Sequence, residues 1–121
     1  MINNNYLNGL AKLMTGVSYN IPSYLAFGST TGTLTATDLV TSGEFDRNAL
    51  DSTEQIDYVA KFIGRRLSTE AGDERINVIG LHNSGVPGSS GNLQANMLVS
   101  SLLHTSDFDV EVEFWVKHER I

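Results

Sequence analysis

The carboxy-terminal run "DFDVEVEFWVKHERI" constrains the fold more than any other stretch of the chain. Phe108, Val110, Val112, Phe114 and Val116 recur at every second residue, with Asp109, Glu111, Glu113, Trp115 and Lys117 between them. Side chains of a strand alternate between the two faces of its sheet. This spacing therefore predicts a strand with one face in a core and an acidic face toward solvent or a basic partner.

Other segments read the same way. In "EQIDYVAKFI", Ile56, Tyr58, Ala60 and Phe62 alternate with polar positions, which predicts a half-buried strand. "ERINVIGLHN" is apolar at Ile76, Val78 and Gly80 and again at Ile79 and Leu81, the composition of a central strand covered on both faces. "LQANMLVSSLL" is a further apolar segment, and "YNIPSYLAFGSTTG" holds a short β-prone run at Tyr24 to Phe27 between Pro22 and a Gly/Thr-rich turn. "TATDLVTSGEFDRNAL" has no sustained period and reads as an irregular connection with one short helical turn at Ala36 to Val40. "NSGVPGSSGN", 83–92, is a glycine- and serine-rich loop.

The amino terminus differs. Ile2, Tyr6, Leu10, Leu13, Met14 and Val17 recur at three- and four-residue spacing, with Asn3 to Asn5 as caps and Gly16 as a stop. An amphipathic helix or arm over 1–17 follows, about three turns long. The expected architecture is a single α+β domain over 1–121: one amino-terminal helix followed by a β-rich body over 20–121, a mostly antiparallel β-sandwich or sheet.

At 121 residues the chain is the size of one domain, long enough to bury about two-thirds of its unfolded surface in one core. It has no cysteine, which excludes disulfides, thiolate chemistry and cysteine-ligated metal. A net charge of −6 with scattered basic residues argues against nucleic-acid binding. The start lacks the basic and apolar regions of a signal peptide, and no segment has the roughly 18 apolar residues of a membrane span, so a soluble protein without a membrane partner is expected. Few charged residues and many Ser, Thr, Asn and Gly give the flavour of an extracellular or virion-type β-protein.

The chemical candidates are sparse. His82, His104 and His118 show no zinc-motif spacing, so no metal site is expected and each reads as a turn or partly buried residue. "GSSG", 88–91, lacks the frame of a nucleophile elbow, and "FGSTTGT" lacks the lysine of a phosphate loop. Glu44 and Arg47 are spaced either for a partly buried ion pair that pins a loop or for two solvated charges. Asp109, Glu111 and Glu113 are about 7 Å apart in succession along a strand, too far to share a cation alone, and read as a solvated or interface-facing stripe. Tyr24, Phe45 and Trp115 are candidate interface aromatics. Trp115 stands out because its register puts it among charges, unless the amino-terminal helix covers that face.

The order of these segments resembles the amino-terminal attachment domain of the tail-collar fibre family of tailed-phage and prophage virion proteins. In that family a helix leads into a strand of the type Pro-x-x-[Ile/Leu/Met]-Ala-x-Gly, matched by Pro22 to Gly28. A Glu-x-x-Arg follows an acidic loop, matched by Glu44 and Arg47. A strand ending in Gly-Leu-[Phe/His]-[Asn/Asp] comes next, matched by Ile76 to Asn83. The chain departs from the pattern at His82, where an aromatic is usual, and at Val78, where an acid is usual. It ends at Ile121, where a fibre protein would continue into its shaft, so an attachment domain without a shaft is expected.

The resemblance implies a non-enzymatic virion protein, made in the host cytoplasm, without cofactors. It would assemble as a homo-oligomer, with a trimer the expected form, together with other phage proteins of the tail, baseplate, collar or capsid. The alternative is a capsid decoration protein, and a receptor- or glycan-binding module ranks lower. It also implies that the motif Gly80, Leu81, His82 and Asn83 is architectural, with Gly80 admitting a close neighbour, Ile79 and Leu81 filling the core, and His82 and Asn83 beginning a turn.

Overall fold

The computed structural model describes residues 1–30, 32–87 and 93–118. The "GSSG" turn, with much of the glycine-rich loop, lies outside the described residues, as do 119–121. One helix, α1 (Asn4–Met14), precedes seven strands: β1 (Tyr24–Gly28), β2 (Glu44–Ala49), β3 (Ser52–Ile56), β4 (Val59–Arg66), β5 (Glu74–His82), β6 (Leu93–His104) and β7 (Val110–Lys117). They form a four-stranded sheet in the order β2-β1-β5-β6 and a three-stranded sheet in the order β3-β4-β7. Every pairing is antiparallel, so the α+β, sheet-rich architecture expected from the sequence is the observed one.

The two sheets share one core. Leu25, Phe27, Ile76, Ile79 and Leu81 of the first sheet meet Phe62, Val112, Phe114 and Val116 of the second in a single apolar cluster. Phe27, Leu25, Ile76 and Leu81 are fully buried, and each such side chain contributes about 1.5–3 kcal/mol relative to exposure. The alternation in β7 is complete: Val110, Val112, Phe114 and Val116 are buried while Glu111, Glu113, Trp115 and Lys117 are exposed.

Asn3 is the N-cap of α1, its side chain accepting a hydrogen bond from the Asn5 amide at 3.0 Å. Gly16, at φ 79, takes the left-handed conformation that ends the helix. The helix is shorter than 1–17. Tyr6, Gly9 and Leu10 pack inward, but Leu13, Met14 and Val17 are exposed, so the apolar stripe is used only in its first turns. Ahead of it, Ile2 bridges Ala95, and the backbone groups of Met1 and Asn3 bond to the start of β6.

Two sequence expectations are corrected. "EQIDYVAKFI" is a hairpin rather than one strand: β3 and β4 reverse through Asp57 and Tyr58, with Asp57 at φ 49. No glycine or asparagine marks this turn, and Ile56 and Tyr58 are exposed while Phe62 is buried. The expected irregular connection ends in β2, and its helical turn at Ala36 to Val40 is a turn at Ala36 and Thr37 tied by Thr35 to Asp38. β2 escapes a period-two reading because a bulge interrupts it. Phe27 pairs with Asp46 and Gly28 with Glu44, leaving Phe45 as the extra residue.

The connection between β1 and β2 folds back over the outer face of the larger sheet. Thr41 is buried against Gly80, where an added Cβ would overlap the threonine hydroxyl. The Asp38 carbonyl accepts from Asn3 at 2.6 Å, and its carboxylate accepts from Asn96 at 3.3 Å. This cover explains why Val78, Gly80 and His82 are buried although they point away from the core cluster.

Candidate functional site

The hairpin, the bulge and the folded-back connection place the sequence candidates in separate parts of the molecule. His82, the last residue of β5, is fully buried, and its Nε2 lies 2.7 Å from the Thr41 hydroxyl. Burial, with the nearby Arg47 charge second, lowers its pKa from 6.5 to about 3, so the imidazole is neutral at pH 7. A hydroxyl beside an imidazole is the start of a nucleophile–base pair. Thr41 is only 1% exposed, however, so the pair offers no surface to a substrate. It anchors the folded-back connection to the sheet.

His104 ends β6, where Nε2 donates to the Phe108 carbonyl at 2.8 Å and Nδ1 accepts from Arg66 at 2.8 Å. Arg66, 3% exposed, also bonds Asp46 at 2.8 Å and the Glu70 carbonyl at 2.7 Å, lies 3.4 Å from Glu74, and stacks 5.0 Å from the Phe45 ring centre. His118 joins α1 to the end of β7, 2.7 Å from the Tyr6 hydroxyl. Among the described residues no group of three or more His, Cys, Asp or Glu is arranged to hold a metal ion.

Glu44 and Arg47 form a bidentate ion pair, with Nε to Oε2 at 3.0 Å and Nη2 to Oε1 at 2.6 Å. Residues three apart on a regular strand point to opposite faces. The bulge at Phe45 resets the phase and brings both to one face. Their side chains are 0% and 6% exposed for Arg47 and Glu44. The remaining guanidinium arm donates to the Ser84 carbonyl at 2.9 Å, which ties β2 to the start of the glycine-rich loop. Gly80 admits Thr41, Leu81 is core, His82 closes the strand, and Asn83 donates to the Asn20 carbonyl at 3.1 Å.

The candidate interface residues divide. Glu111, Glu113 and Trp115 lie together on the outer face of β7, whereas Tyr24 is half-buried against Gly85 and Phe45 is half-buried against the core and Arg66. Trp115 is 56% exposed. The amino-terminal helix does not cover this face, because α1 packs on β6. The tryptophan is held instead by Lys61, whose Nζ sits 4.3 Å from the indole centroid on the facing position of β4, and by its own Nε1–H to Glu113 at 3.3 Å. Lys61 is the neighbour of Trp115 that sequence reasoning missed. Its alternation in "EQIDYVAKFI" put it on the polar face, but only the register pairs it with Trp115.

This exposed aromatic, acidic face on a rigid edge strand has the physical character of an association surface: a large amphipathic ring held in one orientation, with charges of both signs around it. No protein-family model, curated protein or solved structure matches the chain.

Proposed function

We propose that the protein is a non-enzymatic structural component of a phage particle, a homo-oligomeric attachment piece of the tail, baseplate or collar. The observation that carries this reading is the spatial relation of the three motifs behind the resemblance. Pro22 to Gly28 runs into β1, Glu44 and Arg47 lie on β2, Ile76 to Asn83 forms β5 and its exit, and the three strands are neighbours in one sheet. Arg47 then reaches the Ser84 carbonyl just beyond the third motif. Motifs spread over sixty residues of chain thus build one continuous, ion-paired scaffold, as expected of a domain whose role is to hold its shape under load.

A capsid decoration role is the second reading, favoured by the β6 edge. Residues 97–103, "MLVSSLL", carry no charge, and Leu98, Leu102 and Leu103 are exposed there, which suits strand addition to a shell subunit. Antibody labelling of intact particles, from a lysate of bacteria expressing this chain during phage growth, tests both readings. Label at the tail or collar supports attachment and label over the head supports decoration. Purified particles without the chain would refute the virion reading.

A further inference from the structure

We propose that two copies of this chain pair through the free edges of β7, antiparallel about a two-fold axis at Phe114, so that Glu111 of each copy faces the partner's Lys117. β7 is the last strand of its sheet, and all eight of its residues pair with β4 without a register shift. Among the described residues no strand pairs with its other edge, which leaves a straight row of backbone donors and acceptors able to template a second strand.

The side chains select both the partner and the register. Facing residues of an antiparallel pair lie on the same face, so the two-fold axis must pass through a residue of β7. Centred on Glu113, the pairing sets that carboxylate against its own copy, and like charges directly opposite are destabilising. Centred on Trp115, it leaves Val110 and Glu111 outside the paired stretch. Centred on Phe114, it engages the strand from Val110 to His118. Glu111 then meets Lys117 twice, Glu113 meets Trp115 twice, and on the inner face Val112 meets Val116. The strand is self-complementary in charge and in apolar pattern, which an isologous contact requires.

Two further features meet at the same edge. Trp115, 56% exposed with Lys61 on one side, gains the partner's Glu113 and strand as cover. A cleft of about 270 Å³ lies between β6 and β7, lined by core residues including Ile76, Ile79, Met97 and Val112. A sheet extended past β7 closes its mouth. The β6 edge is the weaker candidate: its register is broken between Ile76 and Val78, and its first residues are already taken by Ile2 and Asn3.

Light scattering of the full chain across micromolar to near-millimolar concentrations tests the pairing. The expected mass is twice the 13.2 kDa of the protomer. The emission of Trp115, the only tryptophan, should shift to the red as the dimer is diluted. Lys117→Glu places carboxylates opposite each other at both ends of the joint and weakens association by about tenfold or more. Adding Glu111→Lys to that variant exchanges the charges and restores the dimer. Both positions are exposed, and circular dichroism confirms that each variant is folded. A monomer at every concentration, a trimer, or a dimer indifferent to Lys117→Glu would each overturn the proposal. The pairing rests on β7 alone, so failure to find the chain in particles leaves it standing.

Discussion

Replacing Arg47 by methionine retains most of the side chain's bulk and removes its charge. The Glu44 carboxylate, 6% exposed, then stays in the protein without the guanidinium that holds both of its oxygens, and the Ser84 carbonyl loses its donor. Removing one partner of a buried ion pair costs about 3–5 kcal/mol, a large share of the roughly 5–15 kcal/mol of a whole domain. For a chain of this size that lowers the melting temperature by about 10–20 °C. Urea unfolding followed by far-ultraviolet circular dichroism gives the midpoint and slope. Arg47→Lys should recover little, because a point charge cannot reproduce the two-pronged contact and the third bond to Ser84. Adding Glu44→Gln to Arg47→Met should recover much of the loss, since the neutral amide no longer needs a cation. The reasoning fails if Arg47→Met costs under about 1 kcal/mol, the range of a solvated surface pair.

Gly80→Ala drives a methyl into the Thr41 hydroxyl and strains the folded-back connection. A loss of about 1–3 kcal/mol is expected in thermal melts, and an unchanged melting temperature would contradict the tight cover on β5. His82 titrates near 6.5 when unfolded but near 3 in the fold. The unfolded chain therefore binds the extra proton first, and stability falls as pH drops from about 6.5 toward 3, at up to roughly 1.4 kcal/mol per unit. Urea midpoints at pH 7, 6 and 5 should show this slope, and His82→Gln should flatten it; an equal slope in the variant would refute the assignment. Asp57→Gly, at φ 49 in the hairpin, should stabilise by about 0.5–1 kcal/mol in the same assay, and a loss would show that the aspartate side chain favours the turn.

The parts of this fold legible in the sequence are those set by local physics. The β7 alternation, the two-sided apolarity of β5, the Asn3 cap and the Gly16 stop each follow from a few neighbouring residues. β2 was hidden because its most buried side chains are ions on the covered outer face, in register with Gly80 and Val78: Arg47 looks like a surface residue until Glu44 is brought to its side by a bulge. Asn3, Thr41, His82, Gln94, Asn96 and His104 are all nearly inaccessible. Nothing in their types announces it, since the first five are covered by the amino-terminal arm and a distant connection closing over the sheet, and His104 is held by Arg66 and Phe108. The Arg66 network was equally opaque, with its side-chain partners at Asp46, Glu74 and His104 far apart in the chain.

The candidate surface shows the same division. Periodicity assigns a residue to a face, so Trp115 was legible as an aromatic among charges before any fold was known. Whether its strand sits inside a sheet or at the rim is a property of topology, set by which hairpins form and in what order they stack. Had β3 rather than β4 paired with β7, Lys61 would not lie opposite the indole. Had another strand followed at that edge, the opposed charges at Glu111 and Lys117 would be ordinary surface decoration. Only the order β3-β4-β7 leaves, among the described residues, a self-complementary strand with no strand hydrogen-bonded to its outer edge. Sequence thus supplies the chemistry of the surface, and topology decides whether that chemistry has a partner to find.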